Sequence, residues 1–360
     1  MTEDKISLGV LTDDCDRYLG RKIKERNRTF DFIKGFAVFF MVIVHVLSTY
    51  SANNIQESFF GEVIDFLGGP PAAPVFMFSM GVFYILSSKS DSLKDGIIRG
   101  FKLLFLGCLL SFLRSDFLVL LNNNSVQVNY WDPNILFSIW EVDILQFAGW
   151  AYILMSLIKR YFKKPIWWLI IAVGIMGASP ILWGISSDIK IVHWIFNFLW
   201  GEGDLVYFPI FPWLFYPLIG MIFGVYIKAC SNIEELFKSF FRLGLVLFFI
   251  GSIVIITDYD FHVGDYYKSG PGLIIWITGF VFIWLWISNK IIQNIKESRF
   301  LNVIYYWGKE TPSIYFIHWL LVSWGIIIFG EQQYGYLTTI LLIGLILAAS
   351  HFLSKVYKRV

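Results

Sequence analysis

Arg28-Thr-Phe-Asp-Phe-Ile-Lys-Gly-Phe-Ala-Val-Phe-Phe-Met-Val-Ile-Val-His45 opens the first long apolar run of the chain. Ten uncharged, mostly apolar residues separate Lys34 from His45. As a helix rising 1.5 Å per residue, the eleven steps from Lys34 to His45 span roughly 16 Å. Crossing a hydrocarbon core of about 30 Å takes roughly 20 such residues. Phe32–Ser51 therefore reads as a transmembrane helix, with Lys34 near one end and His45 beyond its middle.

Working outward, nine further segments have the same character. They run Ala72–Ser88, Ile97–Leu121, Ile139–Ile158, Pro165–Trp183, Tyr207–Ile227, Phe240–Thr257, Pro271–Ser288, Thr311–Phe329 and Tyr336–Ser354. The stretch between Ile185 and Trp200 is too short and mixed to span, and reads as an interfacial or re-entrant piece. Composition agrees. The 360 residues are 57% hydrophobic and only 16% charged, where a soluble domain carries charge on about a quarter of its residues. The fold expected is all-α, a polytopic membrane protein of about ten helices.

Charge in the connections orients that series, because Lys and Arg concentrate in cytoplasmic loops. The N-terminal segment has Arg21, Lys22, Lys24, Arg26 and Arg28. Bases recur in every second connection: Lys89, Lys94 and Arg99; Lys159, Arg160, Lys163 and Lys164; Lys228 and Lys238; Lys290, Lys296, Arg299 and Lys309; and finally Lys355, Lys358 and Arg359. The intervening connections hold Glu57, Glu62 and Asp65, the run Asn122–Asn124, single Lys190 and Lys268, and Glu331. This alternation places both termini in the cytoplasm. The expected organisation is a basic cytoplasmic tail over 1–30 and one membrane-embedded domain over 31–360. No signal peptide is read, since the first 30 residues are charged and no small-residue cleavage site follows. The membrane expected is a prokaryotic plasma membrane.

Several function classes drop out. A net charge of +2 gives no case for nucleic acid. Cys15, Cys108 and Cys230 have no metal-type spacing and read as reduced thiols. HExxH, GxSxG, P-loop and GxGxxG patterns are absent in any credible context, so hydrolase, ATPase and dehydrogenase readings have no support, and no metal site is expected.

Ionisable groups within the membrane are costly and mark candidate sites. His45 has a side chain that titrates near neutrality and suits proton transfer; the plainer alternative is a hydrogen bond to a neighbouring helix. Lys34 is a candidate anion contact, or only a side chain snorkelling to the interface. Arg114 and Asp116 on the third helix, and Glu141, Asp143 and Gln146 at the start of the fourth, fall at the outer level of His45. They either share one polar pocket with it or merely tie two helices together. His318 lies near mid-membrane, as ligand contact or packing residue. Trp213, in Phe208-Pro-Ile-Phe-Pro-Trp213, is a sugar-stacking platform or a belt residue. Asp258–Asp265 is a cation or sugar loop, or simply solvated. Gly220 and Gly224 have the small-xxx-small spacing of close helix packing.

These residues resemble the transmembrane acyltransferase superfamily. The Lys34–His45 run is similar to the Arg, ten residues, His pattern on the first helix of acyltransferase-3 proteins. Pro74-Val-Phe-Met-Phe-Ser-Met-Gly81, Ile144-Leu-Gln-Phe-Ala-Gly149 and Phe208–Trp213 with Gly220 resemble motifs of the heparan-alpha-glucosaminide N-acetyltransferase-like branch. Ser313-Ile-Tyr-Phe-Ile-His318 resembles the late acyltransferase-3 helix. The chain departs from the pattern in three places: Lys34 for Arg, Phe147 for an Arg, and no His in the connection from Ser51 to Pro71, where lysosomal relatives place theirs.

The resemblance implies an acyltransferase that moves an acyl group, in this reading acetyl, from cytoplasmic acyl-CoA to a hydroxyl or amine of an extracytoplasmic sugar, glycan or glycolipid. His45 would be the catalytic base, with Asp116 or Asp143 orienting it. Lys34, Arg114, Glu141, Gln146, Trp213 and His318 would contact substrate. No tightly bound cofactor is implied; acyl-CoA is the donor, the bilayer is a partner, and a homodimer is compatible. The competing classes are a transporter or channel built on the same intramembrane charges, and an inactive relative.

Overall fold

A computed structural model describes residues 28–117, 141–201 and 206–358. The basic tail before Arg28, the run Asn122–Asn124 and Cys15 lie outside those residues. The described chain is helical throughout. Its helices are α1 (Arg28–Tyr50), α2 (Asn53–Gln56), α3 (Phe59–Gly68), α4 (Ala73–Leu86), α5 (Leu93–Ser111), α6 (Ile144–Tyr161), α7 (Pro165–Leu182) and α8 (Lys190–Trp200). They continue with α9 (Ile210–Trp213), α10 (Phe215–Ala229), α11 (Ile233–Thr257), α12 (Tyr259–Val263), α13 (Pro271–Asn294), α14 (Arg299–Lys309), α15 (Thr311–Phe329) and α16 (Tyr336–Tyr357).

Among the described residues, nine helical stretches are long and apolar enough to cross a membrane. α6 fills the remaining place in the expected series of ten. It has 18 residues, but Gln146, Lys159 and Arg160 lower its hydropathy, so composition alone does not select it. α8, with 11 residues, is too short to cross.

Two connections differ from expectation. The stretch from Ser51 to Pro71, expected as a loop, folds into α2 and α3. Ser58 caps α3 by accepting a hydrogen bond from the Gly61 N–H, and Glu62 sits in the first turn, where the helix dipole favours an acid. The basic stretch after α13 likewise contains α14, capped by Ser298 through the Leu301 N–H. Leu301, Ile304, Trp307 and Gly308 form its buried face. That 3–4 spacing is the mark of an amphipathic helix.

α1 lies at the centre. It packs against α14, α15, α16, α13, α3 and α4. The pairs α4–α10, α5–α6 and α11–α13 form the most extensive other contacts. Glycines set a close crossing between α4 and α10. A Cβ on Gly220 would strike the Phe78 carbonyl, and one on Gly81 would strike the Pro217 carbonyl, so α10 and α4 meet backbone to backbone. The Gly220 and Gly224 spacing thus works as small-xxx-small pairs do in membranes. Gly220→Ala is expected to cost about 1–3 kcal/mol through overpacking, seen as a lower thermal midpoint in detergent. Gly344→Ala, where nothing lies within 4 Å, should leave it unchanged. Equal midpoints for the two variants would refute the crossing.

Candidate functional site

His45 on α1 and His318 on α15 are brought together. Their rings are nearly parallel, 18° apart, with centroids at 5.6 Å. Trp319 closes on His45 at 4.1 Å between centroids. His318 Nδ1 lies 3.1 Å from the carbonyl oxygen of Ile314. A carbonyl only accepts, so Nδ1 carries the hydrogen and the neutral ring bears its lone pair on Nε2. That Nε2 is buried and has no hydrogen-bond partner among the described residues. His318 is wholly buried, at 0% exposure, whereas His45 is half-buried.

The next layer is ionic. Arg114 is 8% exposed. It pairs with Glu141, and with Asp143 at 3.1 Å. Its guanidinium stands 4.3 Å from the Trp319 ring centroid, inside the range of a cation–π contact. Tyr315 donates to Asp143 at 2.8 Å. Arg114 therefore touches Trp319 on one side and two carboxylates on the other, and Trp319 touches His45. The sequence reading placed Arg114, Glu141, Asp143 and His45 at one level, and the structure joins them through α15.

Local structure explains the placement. α5 widens into a π-helical turn over Phe112–Asp116. Such turns are rare and occur frequently at functional sites. Trp324 of α15 donates its indole N–H to the Leu113 carbonyl at 3.0 Å and ties the turn to that helix. Glu141 and Asp143 flank Val142, whose carbonyl accepts from the Tyr207 and Phe208 N–H groups at 3.1 and 3.0 Å. The start of the Phe208–Trp213 motif thus pins the acidic pair. Asp143 also caps α6, accepting from the Ile144 N–H.

Other expected residues fall elsewhere or take different parts. Asp143 is engaged by Arg114, Tyr315 and its own cap, so it pairs with the cation and does not orient His45; the rings facing His45 are Trp319 and His318. Asp116 is buried on the π turn. Gln146 donates to the Ser111 hydroxyl at 2.9 Å and wedges between α6 and Gly107 of α5. Trp213 is no platform: it is 1% exposed, packs on Phe208 and Tyr266, and donates to the Tyr267 carbonyl at 2.8 Å. Its large ring and single N–H are satisfied inside the core. In the Asp258–Asp265 connection, expected as a ligand loop or solvated stretch, Tyr259–Val263 is a helical turn and His262 is buried, accepting from the Gly272 N–H. Lys34 lies toward the other end of α1, 3.8 Å from Asp31 and 4.4 Å from the Phe83 ring centroid. Tyr315 and Trp319 were not singled out from sequence. Their positions three before and one after His318 put all three on neighbouring ridges of a helix, which is the signal that reveals them.

The fold and this buried layer define a polytopic membrane protein with an ionisable centre between its helices. The family model for heparan-alpha-glucosaminide N-acetyltransferase, catalytic, matches residues 26–256, well over half the chain, and the chain belongs to that family. The family is one of membrane acetyltransferases, so the chain falls among transferases. The matched span contains Lys34, His45, Arg114, Glu141 and Asp143; Tyr315, His318 and Trp319 lie beyond it. A search of curated proteins finds no match.

Proposed function

We propose that the protein transfers an acetyl group from acetyl-CoA to a hydroxyl or amine of a sugar, glycan or glycolipid on the opposite side of the membrane, with His45 as general base. The paired His45 and His318 rings against Trp319 and Arg114 carry this reading. His45 is the less buried member of the pair, which supports it as the one that meets the acceptor. In the reaction the acceptor oxygen or nitrogen forms a bond to the acetyl carbonyl carbon and the thioester C–S bond breaks. The acceptor proton passes to the His45 imidazole, and from there to the departing CoA sulfur. His318 sits behind His45 as a positioning residue. Arg114, held by its two carboxylates and stacked on Trp319, fixes the ring that closes on His45 and so holds the base in place. Asp116 belongs to the same polar layer.

Sidedness is part of the proposal. The donor approaches from the side of the basic loops, with Lys34 along its path, and the acceptor from the side of the His45 end. Basic connections alternating with base-poor ones support this orientation and a prokaryotic plasma membrane. The transport reading is weaker, because family membership points to group transfer.

The test is transfer in proteoliposomes loaded with radiolabelled acetyl-CoA and bathed in amino sugars and hexoses. Label is expected on an external sugar, with free CoA thiol released in equal amount. If the protein binds acetyl-CoA yet labels neither sugar nor lipid, or if intact acetyl-CoA itself crosses the bilayer, the proposal is wrong.

A further inference from the structure

A second site lies away from the histidine pair, where α4 turns into α5. A cavity of about 280 Å³ opens there. Lys89, Arg99 and Lys102 line it. None of the three is ion-paired with a described residue; the Arg99 guanidinium instead lies 4.5 Å from the Tyr152 ring centroid on the cavity wall. The acid nearest in sequence to Lys89, Asp91, is already taken: Lys159 donates to it at 2.8 Å, and that hydrogen bond holds the Asp91 carboxyl below the usual carboxylate range. One carboxylate, Asp95, lines the cavity. Its backbone N–H donates to Ser92, the cap of α5, so the first turn of a 19-residue helix borders the same space.

Ser90 supplies an independent observation. It lines the cavity, is 3% exposed, and its hydroxyl is buried with no hydrogen-bond partner among the described residues. A buried hydroxyl left unpaired costs free energy, and a turn of the Ser90 side chain toward the cavity would give it an acceptor there. Three cations against one carboxylate leave a net charge near +2. That matches a phosphate monoester, which carries about −1.5 to −2 at neutral pH, better than a singly charged diester. The cavity also opens along α5: Ile98 lines it, and Ile98, Phe101 and Phe105 are exposed on one stripe of the helix.

We infer that this cavity is a phosphomonoester site, held by Lys89, Arg99, Lys102 and Ser90. Two sources share that chemistry. One is the 3′-phosphate of the nucleotide donor, and this assignment rests on the donor proposed above. The other is the head group of an anionic lipid whose chains lie along Ile98, Phe101 and Phe105. The phosphate site itself rests on neither.

The test uses the full chain in phosphatidylcholine nanodiscs. CoA and 3′-dephospho-CoA form one probe pair, differing only in the monoester. Phosphatidic acid against phosphatidylcholine forms the other. Wild type is expected to prefer the monoester in at least one pair. Lys89→Gln/Lys102→Gln, and separately Arg99→Gln, should erase that preference by about 10-fold or more, the loss expected for charge-assisted hydrogen bonds, while the probes lacking the monoester bind unchanged. A loss with CoA assigns the nucleotide source, and a loss with phosphatidic acid the lipid source. His45→Ala should keep the preference. Unchanged binding of the probes lacking the monoester also shows that the variants are folded. If wild type shows no preference in either pair, or the variants keep it, the inference falls. Monoester binding without acetyl transfer would overturn the transfer reading and leave this site standing.

Discussion

His45→Ala lowers the rate of acetyl transfer by roughly 100- to 10,000-fold, the usual worth of a positioned general base, while the protein inserts and runs as a single species in detergent. The side chain sits on α1 among apolar residues and touches His318 and Trp319 through ring faces. Removing it creates a small gap in a half-exposed spot and leaves no buried charge behind. The loss is therefore chemical and not structural. His318→Ala should cost less in rate and more in stability, because that ring is wholly buried and reaches substrate only through His45. Initial rates in vesicles for the two variants, with thermal midpoints beside them, separate the roles. Near-wild-type transfer by His45→Ala would remove it from the mechanism.

Arg114→Leu destabilises the protein by about 3–5 kcal/mol, the cost of breaking a buried ion pair from one side. Glu141 and Asp143 would be left as two carboxylates in a nearly dry layer, with only the Tyr315 hydroxyl and the Ile144 N–H remaining on Asp143. The wedge of charge against Trp319 would vanish as well. The triple variant Arg114→Leu/Glu141→Gln/Asp143→Asn should recover much of the stability and none of the activity, since it removes the unpaired charge along with the cation. Arg114→Lys should fall between, for an ammonium cannot grip two carboxylates as a planar fork does. Chemical denaturation in mixed micelles measures each. A single Arg114→Leu variant as stable as wild type would mean the network is solvated.

Much of this was legible in the residues. Lipid asks only that a spanning face be apolar, so the long helices announce themselves by composition. α3 did not, because Glu62 and Asp65 interrupt its hydropathy and its capping is local. The level of Arg114, Glu141 and Asp143 followed from their positions along the third helix and at the start of the fourth. What the residues could not tell was which rings meet: His45 and His318 stand at opposite ends of the chain, and only packing of α1 on α15 makes them neighbours. Trp213 misled for a related reason. A tryptophan beside prolines reads alike whether its indole faces a sugar or a carbonyl, and here it faces Tyr267. Asp143 had two readings, a partner of His45 or a tie between helices, and its contacts are those of the second, since a carboxylate near both a histidine and an arginine goes to the permanently charged donor.

The central position of α1 has a consequence for biogenesis. Tyr50 at its end donates to the carbonyl of Val322, 272 residues later, and α15 and α16 both pack on it. Ribosomes add about 5–20 residues per second, so α1 enters the bilayer some tens of seconds before α15 and α16 are made. Through that interval His45, whose ring partners His318 and Trp319 lie on α15, faces lipid or the insertion machinery. A chain stalled before α15 is inserted but incomplete, with unsatisfied polar groups in its earliest helix, which is the form a membrane quality-control protease can distinguish from the finished protein.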